Sequence, residues 1–370
     1  MYYYKIAGLT LQSVCEVRTF EEFTCEPCEP DVTLTETDEL PPEGAEQCSG
    51  SIVHRKLPNG WYFYAKYMNR IGLYADNEYT KLCLYGTKAT EGPGVKPTDY
   101  PGVMAWLVRV ALESLLARRG YVSLHSAAIE VRGEAYAFSG NSGIGKSTRA
   151  GAWIEAHGAT LINGDRPLID VRNRIVYGVP WDGKEKCFRN VHYPLKAICE
   201  VRRSDTVYAR SMSFSQRRKL LMRQCFMPMW DTETAAIQMS NLKKLAASAA
   251  MVRVFCGPTA EDAKKLYEVL QKQDFLKEEE DMRAKQGFVL RHVVDEYILM
   301  PTGDNISKFN GTVIFNEVAA FVWDKLQNPV SRDDLVEAIL NEFEVERDVA
   351  AADLDALLGK LREYGVIEEY

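Results

Sequence analysis

A glycine-rich octapeptide offers the clearest chemistry in this 370-residue sequence. Residues 140–147 read GNSGIGKS, a full match to the pattern GxxxxGK[ST]. Such a loop binds nucleotide phosphates when it joins a strand to a helix. The flanking residues fit that context, because 135–138 is a short apolar run typical of a strand and 146–155 is interrupted by a single glycine. The sequence therefore predicts a nucleotide-binding loop.

Each position of this loop has a physical reason. Its glycines permit positive φ and a close approach of the backbone to phosphate oxygens. The N–H groups of the turn and of the helix N-terminus then form an anion site. Lys146 would reach the β- and γ-phosphates, and the Ser147 hydroxyl would coordinate Mg²⁺. The sequence thus predicts ATP and Mg²⁺ as cofactors, with the nucleotide held by Gly140, Asn141, Ser142, Gly143, Ile144, Gly145, Lys146, Ser147 and Thr148.

Phosphoryl transfer also needs a carboxylate that holds metal or takes the proton of the acceptor. Asp165 is the candidate, because a strand over the apolar run 159–162 would deliver it to the sheet edge that carries the loop. The surrounding NGDRP is equally typical of an ordinary turn. His125 lies one predicted strand upstream and Lys184 lies in the turn WDGKE, and both have a structural interpretation beside a catalytic one.

The elements that must position these residues divide the chain into segments. Residues 1–120 alternate short apolar runs with Pro, Gly and Asp, which predicts a β-rich part with an acidic loop over 25–46 and a helix over 103–119. Residues 121–276 alternate apolar runs with helical stretches, the pattern of an α/β domain. The charged run LKEEEDMRAK follows, and it predicts a linker or an exposed helix over 277–285 that joins two domains.

The last segment, residues 286–370, has the outline of a winged helix. Apolar runs between 288 and 315 predict short strands, and helical patterns follow them, two of which begin after the N-cap residues Asn316 and Ser331. Winged helices often bind DNA, but residues 283–370 carry nine Lys or Arg against seventeen Asp or Glu. This balance repels phosphates, so the sequence predicts no nucleic-acid partner.

The composition narrows the class of protein further. The net charge is −7 and 46% of the residues are hydrophobic, as in a globular protein. The apolar runs are too short to span a bilayer and the start MYYYKIAG lacks signal-peptide features, which predicts a cytoplasmic protein without a membrane partner. The nine cysteines are scattered; Cys25 and Cys28 have the spacing of half a zinc site, to which Cys48 could be added, but free thiols are favoured.

The ordered motifs of the central segment carry a family resemblance. SLHSAAI, FSGNSGIGKST, INGDRPLID, PWDGKEK and PLKAI together resemble the HPr kinase/phosphorylase-related family, which has the phosphoenolpyruvate-carboxykinase type of phosphate-loop fold. The resemblance covers about 121–270, and a weaker one at YYYKIAGL adds the N-terminal part to the same unit. It implies that Asp165 is base and metal partner, that His125 lies by the loop, and that the protein is a homo-oligomer. Gly164 and Thr148 stand where the family has acidic residues, so the resemblance does not extend to a second metal contact or to phosphorylase activity.

The C-terminal segment carries a second resemblance. FVLRHVVDEYILMPTG, VIFNEVAAFVWDKL and the final YGVIEEY resemble the PqqD family, whose members bind the leader peptides of ribosomally made, post-translationally modified peptides. The resemblance covers 286–370. It implies that a leader adds as a strand to a sheet edge, in a groove against a helix. By segment, it implies an edge around 297–300 and an opposing wall near 357–361.

Together the two modules predict an ATP-dependent kinase that docks a precursor peptide by its leader and phosphorylates a Ser or Thr hydroxyl. The predicted catalytic residues are Asp165, Lys146, His125 and Lys184, with Ser147 and Asp165 as metal ligands and His125 and Lys184 stabilising the transferring charge. Tethering would raise the concentration of the acceptor at the active site, and other peptide-modifying enzymes stay open as partners. The alternatives are a nucleotide-gated leader-peptide chaperone without phosphoryl transfer, a small-molecule kinase acting for example on free serine, and a carboxykinase-like lyase supported by fold analogy alone.

Overall fold

A computed structural model describes residues 1–66, 68–86, 100–181, 183, 186–272, 281–294, 296–306, 309 and 313–369. The chain divides into two units. Unit 1 comprises Met1–Arg210 and Leu220–Leu276, and unit 2 comprises Ser211–Lys219 and Lys277–Tyr370. Within the described residues, no helix is both long and apolar enough to cross a membrane.

Unit 1 begins with a sheet against which a long helix packs. Its strands are β1 (Tyr2–Ile6), β2 (Leu9–Ser13), β3 (Val32–Thr37), β4 (Glu46–Ser49), β5 (Ile52–Leu57), β6 (Gly60–Ala65), β7 (Met68–Asp76) and β8 (Lys81–Tyr85), with a 3₁₀ turn at Arg18–Phe23. The order is β1-β2-β3-β8-β7-β6-β5-β4. Helix α1 (Tyr100–Arg118) shares a buried core with the sheet through Leu107 and Leu112, and Gly120 follows its last turn with a φ of +87°, as the sequence predicts.

The second sheet of unit 1 carries the phosphate-loop motif. Its strands are β9 (Tyr121–Ser123), β10 (Ser126–Val131), β11 (Glu134–Ser139), β12 (Thr160–Asn163), β13 (Leu168–Asp170), β14 (Ile175–Tyr177), β15 (His192–Arg203), β16 (Tyr208–Ser211) and β17 (Met251–Cys256). The order is β12-β10-β11-β15-β14-β13-β9, and β17 pairs with β15 and β16. Because β11 runs parallel to β15 and β15 runs parallel to β17, the carboxyl ends of these strands meet at one sheet edge.

Helices cover this sheet and fix the motif at that edge. They are α2 (Lys146–His157), α4 (Thr232–Ser248) and α5 (Ala260–Lys272); α3 (Phe214–Gln224) follows β16 along the chain. Trp153 of α2 is almost fully buried, and its ring centroid lies 5.1 Å from that of Tyr136 and 5.3 Å from that of Phe138 on β11. This aromatic contact holds α2 against the strand that precedes it, so the helix N-terminus stays at the end of β11.

Unit 2 combines small antiparallel sheets with helices. Its strands are β18 (Asp281–Ala284), β19 (Phe288–Val293), β20 (Glu296–Pro301), β21 (Val313–Phe315), β22 (Val330–Ser331) and β23 (Ile367–Glu369); its helices are α6 (Glu317–Lys325), α7 (Arg332–Glu342) and α8 (Arg347–Glu363), with a 3₁₀ turn at Gly303–Asn305. The sheets run β19-β20-β21 and β22-β18-β23. Asn316 and Ser331 cap α6 and α7 by accepting the N–H groups of Ala319 and Asp334, which confirms both predicted N-caps.

The structure differs from the sequence prediction in two segments. Within the acidic loop predicted over 25–46, Val32–Thr37 forms β3, whose alternating Val32 and Leu34 are buried between parallel neighbours. Within the linker predicted over 277–285, Asp281–Ala284 forms β18, because Met282 and Ala284 alternate with polar residues and reach the core of unit 2. The mixed α/β architecture is confirmed; the phosphoenolpyruvate-carboxykinase type of fold stays a prediction.

Candidate functional site

The phosphate-loop motif lies between β11 and α2, as its pattern requires. Gly140, Gly143 and Gly145 have φ of +143°, +78° and +100°, a region that disfavours any side chain. A Cβ at Gly145 would also collide with the Arg149 guanidinium. Helix α2 begins at Lys146, so the unpaired N–H groups of its first turn face the loop. Of the other predicted nucleotide-binding residues, Ile144 is half-buried and four are exposed: Asn141, Ser142, Ser147 and Thr148.

The Lys146 side chain is folded back onto this loop. It is 9% exposed, and its Nζ donates to the carbonyl oxygens of Gly140 (3.1 Å) and Asn141 (3.3 Å). Burial lowers the pKa of Lys146; the Asp165 carboxylate acts in the opposite direction, and the positive charge of Arg166 lowers the pKa further. A buried ammonium with neutral partners is a site where an added anion gains stability.

Asn163 builds the turn that carries Asp165. Its side chain is fully buried at the end of β12. The Oδ1 atom accepts the N–H groups of Asp165 (3.0 Å) and Arg166 (2.7 Å), and Nδ2 donates to the carbonyl of Trp181 (2.9 Å). The backbone on both sides of Asp165 is therefore fixed by one internal side chain.

Backbone pairing ties the Asp165 turn to the phosphate loop. The carbonyl of Asp165 accepts the N–H of Ser126 (2.9 Å), and Ser126 lies opposite Ser139 in the β10–β11 pair. Ser139 directly precedes Gly140, and its hydroxyl donates to the carbonyl of His125 (2.9 Å). Adjacent strands thus bring Asp165 and His125 to the edge that carries the loop.

The side chains of His125 and Asp165 meet there. The distance between His125 Nε2 and Asp165 Oδ1 is 3.6 Å, and the two side chains are 29% and 27% exposed. Burial lowers the pKa of His125 below its usual value, the charge of Lys146 lowers it further, and Asp165 acts in the opposite direction. The lowered pKa favours the uncharged form of the imidazole at neutral pH. The role predicted for His125, stabilising the transferring charge, stays a prediction.

Arg166 is a candidate that the sequence reasoning missed. Its positive charge adds to burial in lowering the pKa of Lys146 and of His125. Lys146 and Arg166 carry two positive charges against the single carboxylate of Asp165, so the charge balance of these three residues favours an anionic ligand. The arginine of GDRP was the only available sequence signal. The predicted catalytic residue Lys184 lies outside the described residues.

The candidate metal ligands at this site are oxygen atoms, which are hard donors. Ser147 offers a hydroxyl and Asp165 a carboxylate, and this oxygen pair fits Mg²⁺, which keeps phosphate oxygens and waters as its other ligands. The part of the chain that the structure describes contains no cluster of three or more His, Cys, Asp or Glu side chains able to hold a metal. Cys25, Cys28 and Cys48 are free thiols, and burial raises the pKa of Cys25.

Unit 2 contains an apolar groove between β21 and α8. The cavity has a volume of about 650 Å³, and it is lined from the strand by Val313, Ile314 and Phe315 and from the helix by Leu354, Leu357 and Leu361. In the order β19-β20-β21, the strand β21 pairs on one side alone within the described residues. Ile314 is 58% exposed, so the strand next to the groove combines a free edge with exposed apolar surface.

The predicted peptide-binding edge around 297–300 is wrong. Tyr297, Ile298 and Leu299 belong to β20, the central strand, and pair with β19 on one side and β21 on the other. Their ladder groups are therefore occupied. The edge strands of this sheet among the described residues are β19 and β21, and β21 is the one that lines the groove. The predicted opposing wall near 357–361 does line the groove.

The comparison with protein families concerns this same region. Residues 296–367 match the model of the family described as Coenzyme PQQ synthesis protein D (PqqD). The C-terminal region is PqqD-like. The match runs from β20 to β23 and includes both walls of the groove.

Two solved structures also align with the chain. They are titled "TbiB1 in Complex with the TbiA(beta) Leader Peptide" and "Lasso peptide synthetase B1 complexed with the leader peptide". Each alignment covers 24% of this chain and 96% of the other, at 23% identity and a TM-score of 0.21. Among curated proteins, none matches this chain.

Proposed function

We propose that this protein is an ATP-dependent kinase that recruits a ribosomally made precursor peptide through its PqqD-like region and phosphorylates a Ser or Thr hydroxyl of that peptide. One observation carries the kinase assignment. Asp165 and His125 lie 3.6 Å apart at the sheet edge where the phosphate loop begins, and their charges and burial couple them to Lys146. A carboxylate at the sheet edge that carries the phosphate-loop lysine is an arrangement that suits phosphoryl transfer.

In this proposal the loop amides and Lys146 bind the β- and γ-phosphates of ATP, and Arg166 adds positive charge. Ser147 and Asp165 would hold Mg²⁺, which when bound neutralises charge on the phosphates. Asp165 accepts the proton of the acceptor hydroxyl while the oxygen of that hydroxyl forms the new bond to the γ-phosphorus. The bond from the γ-phosphorus to the bridging oxygen breaks, and ADP leaves. His125 orients the Asp165 carboxylate through Nε2.

Peptide docking is proposed for the groove of unit 2. A leader in extended conformation would pair with the free edge of β21, so that its backbone gains ladder hydrogen bonds. Alternate side chains would then enter the groove between Ile314 and Leu357, where apolar burial favours aliphatic or aromatic anchors. The family resemblance supports this mode of binding, and the groove within the matched region supplies the space.

Mass spectrometry of a precursor peptide tests the proposal. The full chain is incubated with ATP, Mg²⁺ and the peptide, and we expect the peptide to gain the mass of one phosphate group. Asp165→Asn should abolish the gain, whereas Asp205→Asn, the same change at an exposed residue between β15 and β16, should not.

The position of Gly164 favours one alternative, a nucleotide-gated leader-peptide chaperone, because a single carboxylate remains where two would hold metal more firmly. A peptide that binds but stays unmodified would support this chaperone. Phosphorylation of free serine at a rate independent of the groove would support a small-molecule kinase instead.

A further inference from the structure

A buried arginine lies directly beneath the phosphate loop. Arg149 is the fourth residue of α2 and is 5% exposed. Its Nη1 donates to the carbonyls of Ile144 (3.0 Å) and Gly145 (3.2 Å), and its Nη2 donates to the carbonyl of Cys256 (2.7 Å) at the end of β17. The pattern GxxxxGK[ST] does not require an arginine at this position, so the motif alone gives it no role.

The charge of Arg149 is only partly compensated. All three acceptors are neutral backbone carbonyls, and Nε is buried without a hydrogen-bond partner among the described residues. The Asp262 carboxylate offsets the charge only weakly: its pKa is lowered first by its hydrogen bond from Thr259 and least by Arg149. A guanidinium is costly to bury unless hydrogen bonds or opposite charge offset its lost hydration. A nearby anion would therefore be stabilised by a positive charge that is already fixed in place.

The guanidinium also sets the direction of two backbone amides. In a planar trans peptide the C=O and the following N–H point to opposite sides. Holding the carbonyls of Ile144 and Gly145 toward Arg149 therefore turns the N–H groups of Gly145 and Lys146 away from it. These are the amides that a loop of this pattern directs at nucleotide phosphates. The bond to Cys256 adds an anchor on β17, which is paired to β15 and not to β11.

We propose that Arg149 is a positioning residue of the nucleotide site, one that fixes the Gly145 and Lys146 amides in their phosphate-binding direction and places a permanent positive charge below them. This inference rests on the proposed ATP binding. The hydrogen bonds of Arg149 to the three carbonyls are present without nucleotide, so Arg149 would preorganise the loop for binding.

The test measures ATP and ADP binding to the full chain by calorimetry. Arg149→Met keeps an unbranched apolar stem but removes the charge and the donors of the guanidinium. It should weaken the binding of both nucleotides by a similar factor, roughly tenfold to a hundredfold. Arg149→Lys keeps the charge but cannot bridge all three carbonyls, so it should recover part of the loss. Arg132→Met, at an exposed arginine between β10 and β11, is the matched control and should stay within twofold.

A second readout separates positioning from general stability. Without nucleotide, hydrogen exchange of the Gly145 and Lys146 amides should accelerate in Arg149→Met, while exchange in α5 should not change. If wild type binds ATP and both Arg149 variants bind it within twofold of wild type, the positioning role is refuted and the kinase proposal stands. If wild type binds no ATP, both proposals fall. If Arg149→Met does not fold, Arg149→Lys decides, because undiminished affinity in that variant refutes the role.

Discussion

Replacing Asn163 by alanine tests whether one buried side chain builds the turn that carries Asp165. Asn163 makes three hydrogen bonds, of 3.0, 2.7 and 2.9 Å, to Asp165, Arg166 and Trp181, and it is fully buried. Each such bond contributes about 1 kcal/mol, and the groups left behind lack access to water. The free energy of unfolding of unit 1 should therefore fall by about 3 kcal/mol, a factor of roughly 150 in the ratio of folded to unfolded chains.

Urea titration followed by tryptophan fluorescence measures this loss. Five of the six tryptophans lie in unit 1, so the signal reports mainly on that unit: Trp61, Trp106, Trp153, Trp181 and Trp230. The matched control is Asn173→Ala, because Asn173 is exposed and its side chain makes one bond to Asp170 (2.7 Å). The control should lose less than about 1 kcal/mol. A loss at Asn163 no larger than that of the control would refute the reasoning.

The Asn163→Ala variant also tests the proposed phosphoryl transfer. Under conditions where Asn163→Ala is still folded, Asp165 should no longer be held at the loop, and phosphoryl transfer should fall at least roughly tenfold with nucleotide affinity less affected. Full transfer activity in a folded Asn163→Ala chain would show that Asn163 does not position Asp165 for transfer.

Three further outcomes follow from the site and the groove. Burial and the charge of Lys146 lower the pKa of His125, and a bound polyphosphate would raise it. ATP affinity should therefore increase as pH falls from the pKa of His125 in the ATP complex to its lower pKa in the free protein. Calorimetry in buffers of different ionisation enthalpy should detect proton uptake on binding that is lost in His125→Gln. Burial raises the pKa of Asp281, so the stability of unit 2 should fall as pH rises from the ordinary aspartate value through the raised one, and Asp281→Asn should remove this slope from urea titrations. Ala356 is exposed and lines the groove, so Ala356→Trp should weaken leader binding by roughly tenfold or more in a fluorescence titration, whereas Ala352→Trp, exposed on the same helix outside the groove, should not.

The local parts of the site were predictable from the sequence, and the parts made by distant residues were not. The loop and the start of α2 depend on neighbouring residues, so the motif gave their position. Asn163 and Arg149 act through carbonyls that lie 18 and 107 positions further along the chain, at Trp181 and Cys256. No spacing rule connects such pairs, because the sheet order that brings them together is a tertiary property.

The place of a strand within its sheet was likewise not predictable from the local sequence. The apolar run of β20 indicates a strand, but such a run does not distinguish a central strand from an edge strand, and the edge prediction was therefore wrong. The edge strand that lines the groove is β21, which has three residues. In β3 the alternation of Val32 and Leu34 was present, but the acidic residues around it hid the strand.

The arrangement of charges around the loop favours ligand binding over internal pairing. Lys146 bonds to carbonyls at 3.1 and 3.3 Å, while Asp165 has a neutral histidine at 3.6 Å as its partner. A direct ion pair between the lysine and the aspartate would neutralise the site, and a phosphate would then have to break a partly buried pair, which is costly when one charge is left behind. Here the backbone of Asp165 is held by Asn163, so the carboxylate can stay near Lys146 without bonding to it. Cation and carboxylate therefore both remain available, one for phosphate and the other for metal or an acceptor proton, which is the separation that the proposed transfer needs.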